Sequence, residues 1–203
     1  MASDFHTHNP DTEVRALISS SIPLPGRFTS LEFHPWQLPE IFDSQILPSP
    51  DLLLDFAALG EIGIDKLRGP GNDIQQHYLH ALLSLAADCQ KPVVIHCVHA
   101  FQELFAALKH FSGIKVMLHG FNSSPEMLDE LWKRNITVSF SRKATDKISL
   151  MNKLGNAGGA YGFESDDDPE CNVMQLLDKV KTLFNIRDVE KFTDRCFADF
   201  LEI

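Results

Sequence analysis

The sequence predicts an α/β fold: a TIM-type (β/α) barrel, shortened, with the first crossover helices missing or reduced, forming one domain over residues 1–203. Three observations carry this. Eight short strand-like runs recur along the chain, seven of them ending in a polar or ionisable residue. Helical periodicity fills the gaps between the later runs, and strands alternating with helices build a parallel sheet covered by helices. The 203 residues suffice for one well-buried core but fall short of the roughly 250 such barrels typically use.

The strand-like runs are residues 4–8, 17–22, 28–34, 56–65, 92–96, 114–119, 136–141 and 160–166. The shortfall lies at the front. Pro10, Pro23, Pro25 and Gly26 occupy gaps where helix formers would be expected. Residues 23–27 are too few for a helical crossover between parallel strands. The second run is therefore expected either to lie outside the barrel or to run antiparallel and turn back directly. A barrel thin on that side would expose an apolar wall suited to a partner chain, which predicts a monomer or a weak homo-oligomer.

Further on, Ile74, Tyr78, Leu82, Leu85, Ala86 and Cys89 share one helical face, with Asn72 or Asp73 expected as N-cap. Phe101, Leu104, Phe105 and Leu108 define a second helix. Ser124-Pro125 opens a third with a cap and a proline at its first position, and Asn135 stops it. Val173 to Phe184 and Phe192 to Phe200 carry two more apolar stripes.

Composition excludes several classes. Hydrophobic residues make up 44% and charged residues 23% of the chain, ordinary for a soluble domain. The longest apolar runs are far too short to span a bilayer, and the first ten residues have neither the basic nor the apolar region of a signal peptide. Cys89, Cys97, Cys171 and Cys196 form no CxxC pair, which predicts free thiols in a reducing cytoplasm. The net charge of −10 argues against a broad basic face for a long nucleic-acid duplex; positive charge would have to be supplied locally, by bound cations.

His6 and His8 stand two residues apart on a strand, so both imidazoles face one side. Later runs bring Glu61, His96, His119 and Asp166 to strand ends. In a TIM barrel these ends share the face where chemistry is done, and four imidazoles with two carboxylates suit divalent zinc, manganese or a similar ion. His34 ends a strand, where it serves either substrate contact or core hydrogen bonding. Trp36 is placed to stack on a base or to close the rim. His77, His80, His99 and His110 lie on or beside helices and read as surface residues, and Cys97 as a small buried residue.

The same positions carry a family resemblance. Asp4-Phe5-His6-Thr7-His8 resembles the opening D-x-H-x-H of TatD-like metal-dependent hydrolases, which belong to the amidohydrolase superfamily. Glu32-Phe33-His34-Pro35-Trp36 resembles their G-x-H-P segment, and Gly60-Glu61-Ile62-Gly63-Ile64-Asp65 their G-E-I-G-L-D. Residues 92–96 (P-V-V-I-H), His119-Gly120-Phe121 and Glu164-Ser165-Asp166 are similar to the P-V-x-I-H, H-x-F and E-T-D motifs that follow. The resemblance implies two divalent metal ions (zinc, manganese or magnesium). His6, His8 and Asp166 would hold one, His96 and His119 the other, with Glu61 between them in the place a carboxylated lysine takes in other superfamily members. Lys91, at the start of its strand, stands at the wrong end for that role.

The resemblance implies hydrolysis of phosphodiester bonds, in DNA, with Asp166 as general base and Glu61 as the second catalytic carboxylate. Cys97-Val98 replaces the arginine usual after the fifth-strand histidine, and Arg68 is the expected substitute for holding phosphate. Glu164 is expected to hydrogen-bond a ligand histidine near the substrate. Asp167 and Asp168 add carboxylates that would repel a phosphate backbone unless they point away. The alternatives are a hydrolase of a small phosphoester, lactone or amide, and a degenerate barrel that binds without turnover.

Overall fold

The computed structural model describes residues 2–203. In chain order it contains β1 (Ser3–Thr7), β2 (Arg15–Ser20), β3 (Phe28–Leu31), α1 (Pro50–Leu54), β4 (Ala58–Asp65), α2 (Asn72–Asp88), β5 (Val93–Val98) and α3 (Phe101–Leu108). There follow β6 (Val116–Leu118), α4 (Pro125–Lys133), β7 (Thr137–Phe140), α5 (Ile148–Leu154), β8 (Tyr161–Phe163), α6 (Val173–Phe184) and α7 (Val189–Leu201). The eight strands neighbour one another in sequence order, and the sheet closes where β8 pairs in parallel with β1. The shortened parallel barrel is thus the fold.

Two compact units make up the chain: Met1–Ile18 with Met117–Ile203, and Ser19–Val116. In the first, Phe5, Leu17, Phe140, Phe163 and Phe197 are fully buried, and α7 packs on β1 and β8. Arg15 on β2 reaches Ser3 and Asp194, fastening α7 to the strand edge. In the second, Leu53, Phe56, Leu59, Ile62 and Tyr78 are fully buried, and α2 packs on β4. All five residues of β1 and all eight of β4 are buried, as expected where a parallel sheet is covered on both faces.

Neither residues 8–14 nor residues 21–27 form a helix, as the prolines predict. The second run is nevertheless a barrel strand, and β2 runs parallel to β1, with Ser3 opposite Arg15 and Thr7 opposite Ile18. The expectation of an outside or antiparallel run is corrected. Its basis was a gap of five residues, whereas the strand ends at Ser20 and leaves residues 21–27. Seven extended residues span up to roughly 23–25 Å, enough to return along the four-residue β3 without a helix. Ala16, Leu17 and Ile18 of β2 are buried, while Ile22 just beyond it is exposed.

The helix termini differ in small ways. Ser124 caps α4 by accepting from the Met127 N–H, with Pro125 following it, and Asn135 takes the left-handed conformation beyond its end. At α2 the N-cap is Gly71, not Asn72 or Asp73. Gln75 folds back to accept from the Asp65 N–H and to donate to the Asp65, Arg68 and Pro70 carbonyls, so the turn into α2 is held by a buried side chain instead of a capping one. Helices α1 and α5 were not legible in the sequence; five and seven residues are too short for a periodic signal.

Candidate metal centre

The first unit builds one group of ligand-type side chains. His6 is fully buried on β1, and His8, just past the strand, is about one third exposed. Asp166 lies 3.6 Å from His6 Nε2 and 3.7 Å from His8 Nε2 through Oδ1. Backbone bonds fix this arrangement: the His8 N–H donates to the Asp166 carbonyl and the Asp166 N–H to the His6 carbonyl. Asp166 holds φ at 53°, a left-handed conformation that aspartate tolerates better than most residues. The ring of His119 stands 4.6 Å from that of His6, centroid to centroid.

Buried Glu164 lies beside His119, its Oε1 3.6 Å from Nδ1, while Oε2 accepts from the Ser139 hydroxyl. Burial acts to raise the Glu164 carboxyl, but His119, His6 and Ser139 outweigh it and hold the group below the usual carboxylate range.

Asp4 and Ser165 brace this group. Asp4 accepts from the Ser165 N–H at 3.1 Å, the Ser165 hydroxyl at 2.6 Å and the His6 N–H at 3.3 Å. Burial pushes Asp4 up to about 7. The extra carboxylates are partly accounted for: Asp168 pairs with Arg142 at 2.8 Å, and Asp167 is exposed.

The second unit builds its own group. Glu61, on β4, is 2% exposed, and its Oε2 lies 3.6 Å from His34 Nε2 and 3.5 Å from His96 Nδ1. His96 Nε2 is 3.3 Å from Asp65 Oδ2, which also accepts from the Trp36 indole at 2.7 Å. Burial acts to raise Asp65, but the Leu67 N–H, the Trp36 indole and His96 together hold it below the usual range. His34 Nδ1 accepts from the Trp36 backbone N–H, so a neutral His34 carries its proton on Nε2, facing Glu61. The Arg68 guanidinium lies 4.5 Å over the Trp36 ring.

Strand irregularities carry two of the ligand-type residues. Register shifts between Asp4 and Thr7 on β1, where His6 sits, and between Leu59 and Ile62 on β4, where Glu61 sits. Such bulges re-aim side chains next to sites. Glu61 and His96 stand inside their strands and not at the expected strand ends, since β4 runs on to Asp65 and β5 to Val98.

Ligand atoms within 4.8 Å of one another are offered by His6, His8 and Asp166, by His119, Glu164 and Asp166, and by His34, Glu61 and His96. Imidazole nitrogens and carboxylate oxygens are the donors divalent cations take. The donor chemistry therefore fits a metal. Buried Glu164 Oε1 makes no close hydrogen bond, with the His119 ring nitrogen 3.6 Å away, consistent with a site that expects a cation. Asp4, Asp65, Ser165 and Arg142 escaped the sequence reading as site residues; Asp4 and Asp65 stand in the D-x-H-x-H and G-E-I-G-I-D strings, which was the available signal.

Lys91 donates to the Leu54 and Phe56 carbonyls, away from these groups. His77, His80, His99 and His110 are exposed. Burial pushes the half-buried Cys97 thiol up to about 12. In the folded protein it should therefore stay unmodified by iodoacetamide near pH 8, and prompt alkylation at Cys97 by mass spectrometry would contradict this environment.

Known structures share the fold. The crystal structure of YjjV, a TatD homologue from Escherichia coli K12, matches with a TM-score of 0.78 at 16% identity, covering 100% of this chain and 98% of that one. A TatD family hydrolase from Entamoeba histolytica matches with a TM-score of 0.73 at 14% identity, covering 98% and 96%. No curated protein matches the sequence. The family model for TatD related DNase matches residues 13–154, a span that includes His34, Glu61, His96 and His119 but not His6, His8, Glu164 or Asp166. With most of its length matched, the chain belongs to the TatD-related DNase family.

Proposed function

We propose that residues 1–203 act as one hydrolase domain that cuts phosphodiester bonds, in DNA, with two divalent cations. The observation that carries this is the His6, His8 and Asp166 trio, whose ligand atoms lie within 4.8 Å of one another although Asp166 is far away in sequence. Following the family resemblance, His6, His8 and Asp166 would hold one ion and His96 and His119 the other, with Glu61 as the further carboxylate of the set. The number of imidazoles favours zinc or manganese over magnesium, which prefers oxygen. When bound, the ions lower the pKa of a water and stabilise charge on the phosphoryl oxygens.

The side chains supply the rest. Asp166 is about one third exposed, whereas Glu164 is fully buried and held by Ser139; Asp166 is the carboxylate able to take a proton from an attacking water. Arg68, laid over Trp36, holds the phosphate, and His34 presents its Nε2 proton. Glu164 orients His119. The net charge of −10 favours short or single-stranded substrates, with small phosphodiesters as the second reading. The four free thiols fit the cytoplasm, and no helix among the described residues is long and apolar enough to cross a membrane. We take the enzyme to be a monomer or weak homo-oligomer.

Asp166→Asn tests the reading. It keeps an oxygen for the metal but removes the base, and turnover of single-stranded DNA and of bis(p-nitrophenyl) phosphate should fall about 10²-fold or more. His77→Ala, at an exposed helix position, is the silent control. Near-normal turnover in Asp166→Asn would move the base elsewhere, with Glu164 next.

A further inference from the structure

We infer that Asp65 and Trp36 form a positioning pair that sets the orientation of His96 and the place of Arg68. The inference rests on the proposed hydrolase reading for its consequences in activity, but its geometry stands alone. Asp65 is 3% exposed and ends β4. Its two oxygens divide their work. Oδ1 accepts from the Leu67 N–H at 2.8 Å, fixing the turn that leads to Arg68. Oδ2 accepts from the Trp36 indole at 2.7 Å and lies 3.3 Å from His96 Nε2. With Nε2 directed at a carboxylate, a proton is kept on that nitrogen, and Nδ1, 3.5 Å from Glu61 Oε2, is left as the face that a cation would use.

Trp36 links this to the substrate side. Its N–H holds Asp65, its ring edge meets the His34 ring at 4.6 Å, and its face carries the Arg68 guanidinium at 4.5 Å. One side of the indole is thus occupied by Arg68, so Trp36 serves as a support for a phosphate-binding cation. Its two functions separate chemically: the N–H orients the metal ligand, and the ring places the arginine. Phenylalanine keeps the second and loses the first, and alanine loses both.

The test uses Asp65→Asn, Trp36→Phe and Trp36→Ala, each checked for folding by circular dichroism. Metal affinity is measured by titration with manganese or zinc, the His96 Nε2–H is followed by imidazole 15N–1H NMR, and kcat and KM are read on bis(p-nitrophenyl) phosphate. Asp65→Asn should weaken metal binding about 10- to 100-fold and remove the protected Nε2–H signal. Trp36→Phe should shift both readouts in the same direction by less, and only Trp36→Ala should also raise KM severalfold. An unchanged Nε2–H signal and unchanged affinity in Asp65→Asn would overturn the pair. If that variant does not fold, unchanged affinity and Nε2–H in Trp36→Phe would overturn it instead. Should the wild type hydrolyse no phosphodiester, the proposed function fails, while the NMR and affinity readouts still decide this inference.

Discussion

Chelation of the purified protein should abolish hydrolysis of single-stranded DNA and of bis(p-nitrophenyl) phosphate, and zinc, manganese or magnesium should restore it. The reason lies in the donors. Every candidate ligand is an imidazole or a carboxylate, so affinity depends on neutral imidazoles and ionised carboxylates. No thiol is among the candidate ligands, and Cys97, the nearest of the thiols in sequence to one of them, is pushed up to about 12 by burial. Binding to the folded state alone also raises stability, by about 2.7 kcal/mol at a metal concentration 100-fold above Kd. Chelation should therefore lower Tm as well as activity, and melting with and without manganese separates this from inhibition by the chelator itself. Full activity in a rigorously metal-free sample would end the metal-dependent reading.

Gly63→Ala should cost more stability than any conservative change on the surface. Gly63 pairs with His96 in the β4–β5 register and holds φ at 149°. An added Cβ would stand 1.9 Å from the His96 carbonyl oxygen and 2.8 Å from its carbonyl carbon. Those are backbone atoms that no rotamer change can move, so the strands must separate where His96 is held. We expect a loss of about 4 kcal/mol or more, or no folded protein. Gly26→Ala is the comparison. Its φ is 71° but nothing lies within 4 Å of the added Cβ, so the expected loss is about 1–2 kcal/mol. Urea unfolding midpoints read both, and similar midpoints for the two variants would show that close strand approach at Gly63 is not needed.

The two expected losses also show how differently parts of the molecule could be read in advance. The eight strand runs were legible because a parallel strand covered on both faces is a nearly continuous apolar string, as in β4 and β5. The longer helices were legible through their periodic faces, and α4 through Ser124 and Pro125. The parallel course of β2 was not, because it depends on where the strand stops, at Ser20, and on the reach of residues 21–27.

For the site, residue types and order in the sequence were enough to select His6, His8, His34, Glu61, His96, His119 and Asp166 and to place them on or beside strands. Chemistry decides that much, since few other residues bind divalent cations and the motifs fix their spacing. Tertiary structure alone decided what each one touches. The Asp166 carboxylate meets His6 and His8 because closure of the sheet pairs β8 with β1, bringing residues about 160 positions apart in the chain into hydrogen-bonding range. The bulges at His6 and Glu61, the grip of Asp65 on His96 and Trp36, and the pairing of Asp168 with Arg142 depend on register and on partners distant in sequence. A linear pattern names the groups a site contains; their distances and protonation follow from the packing that surrounds them.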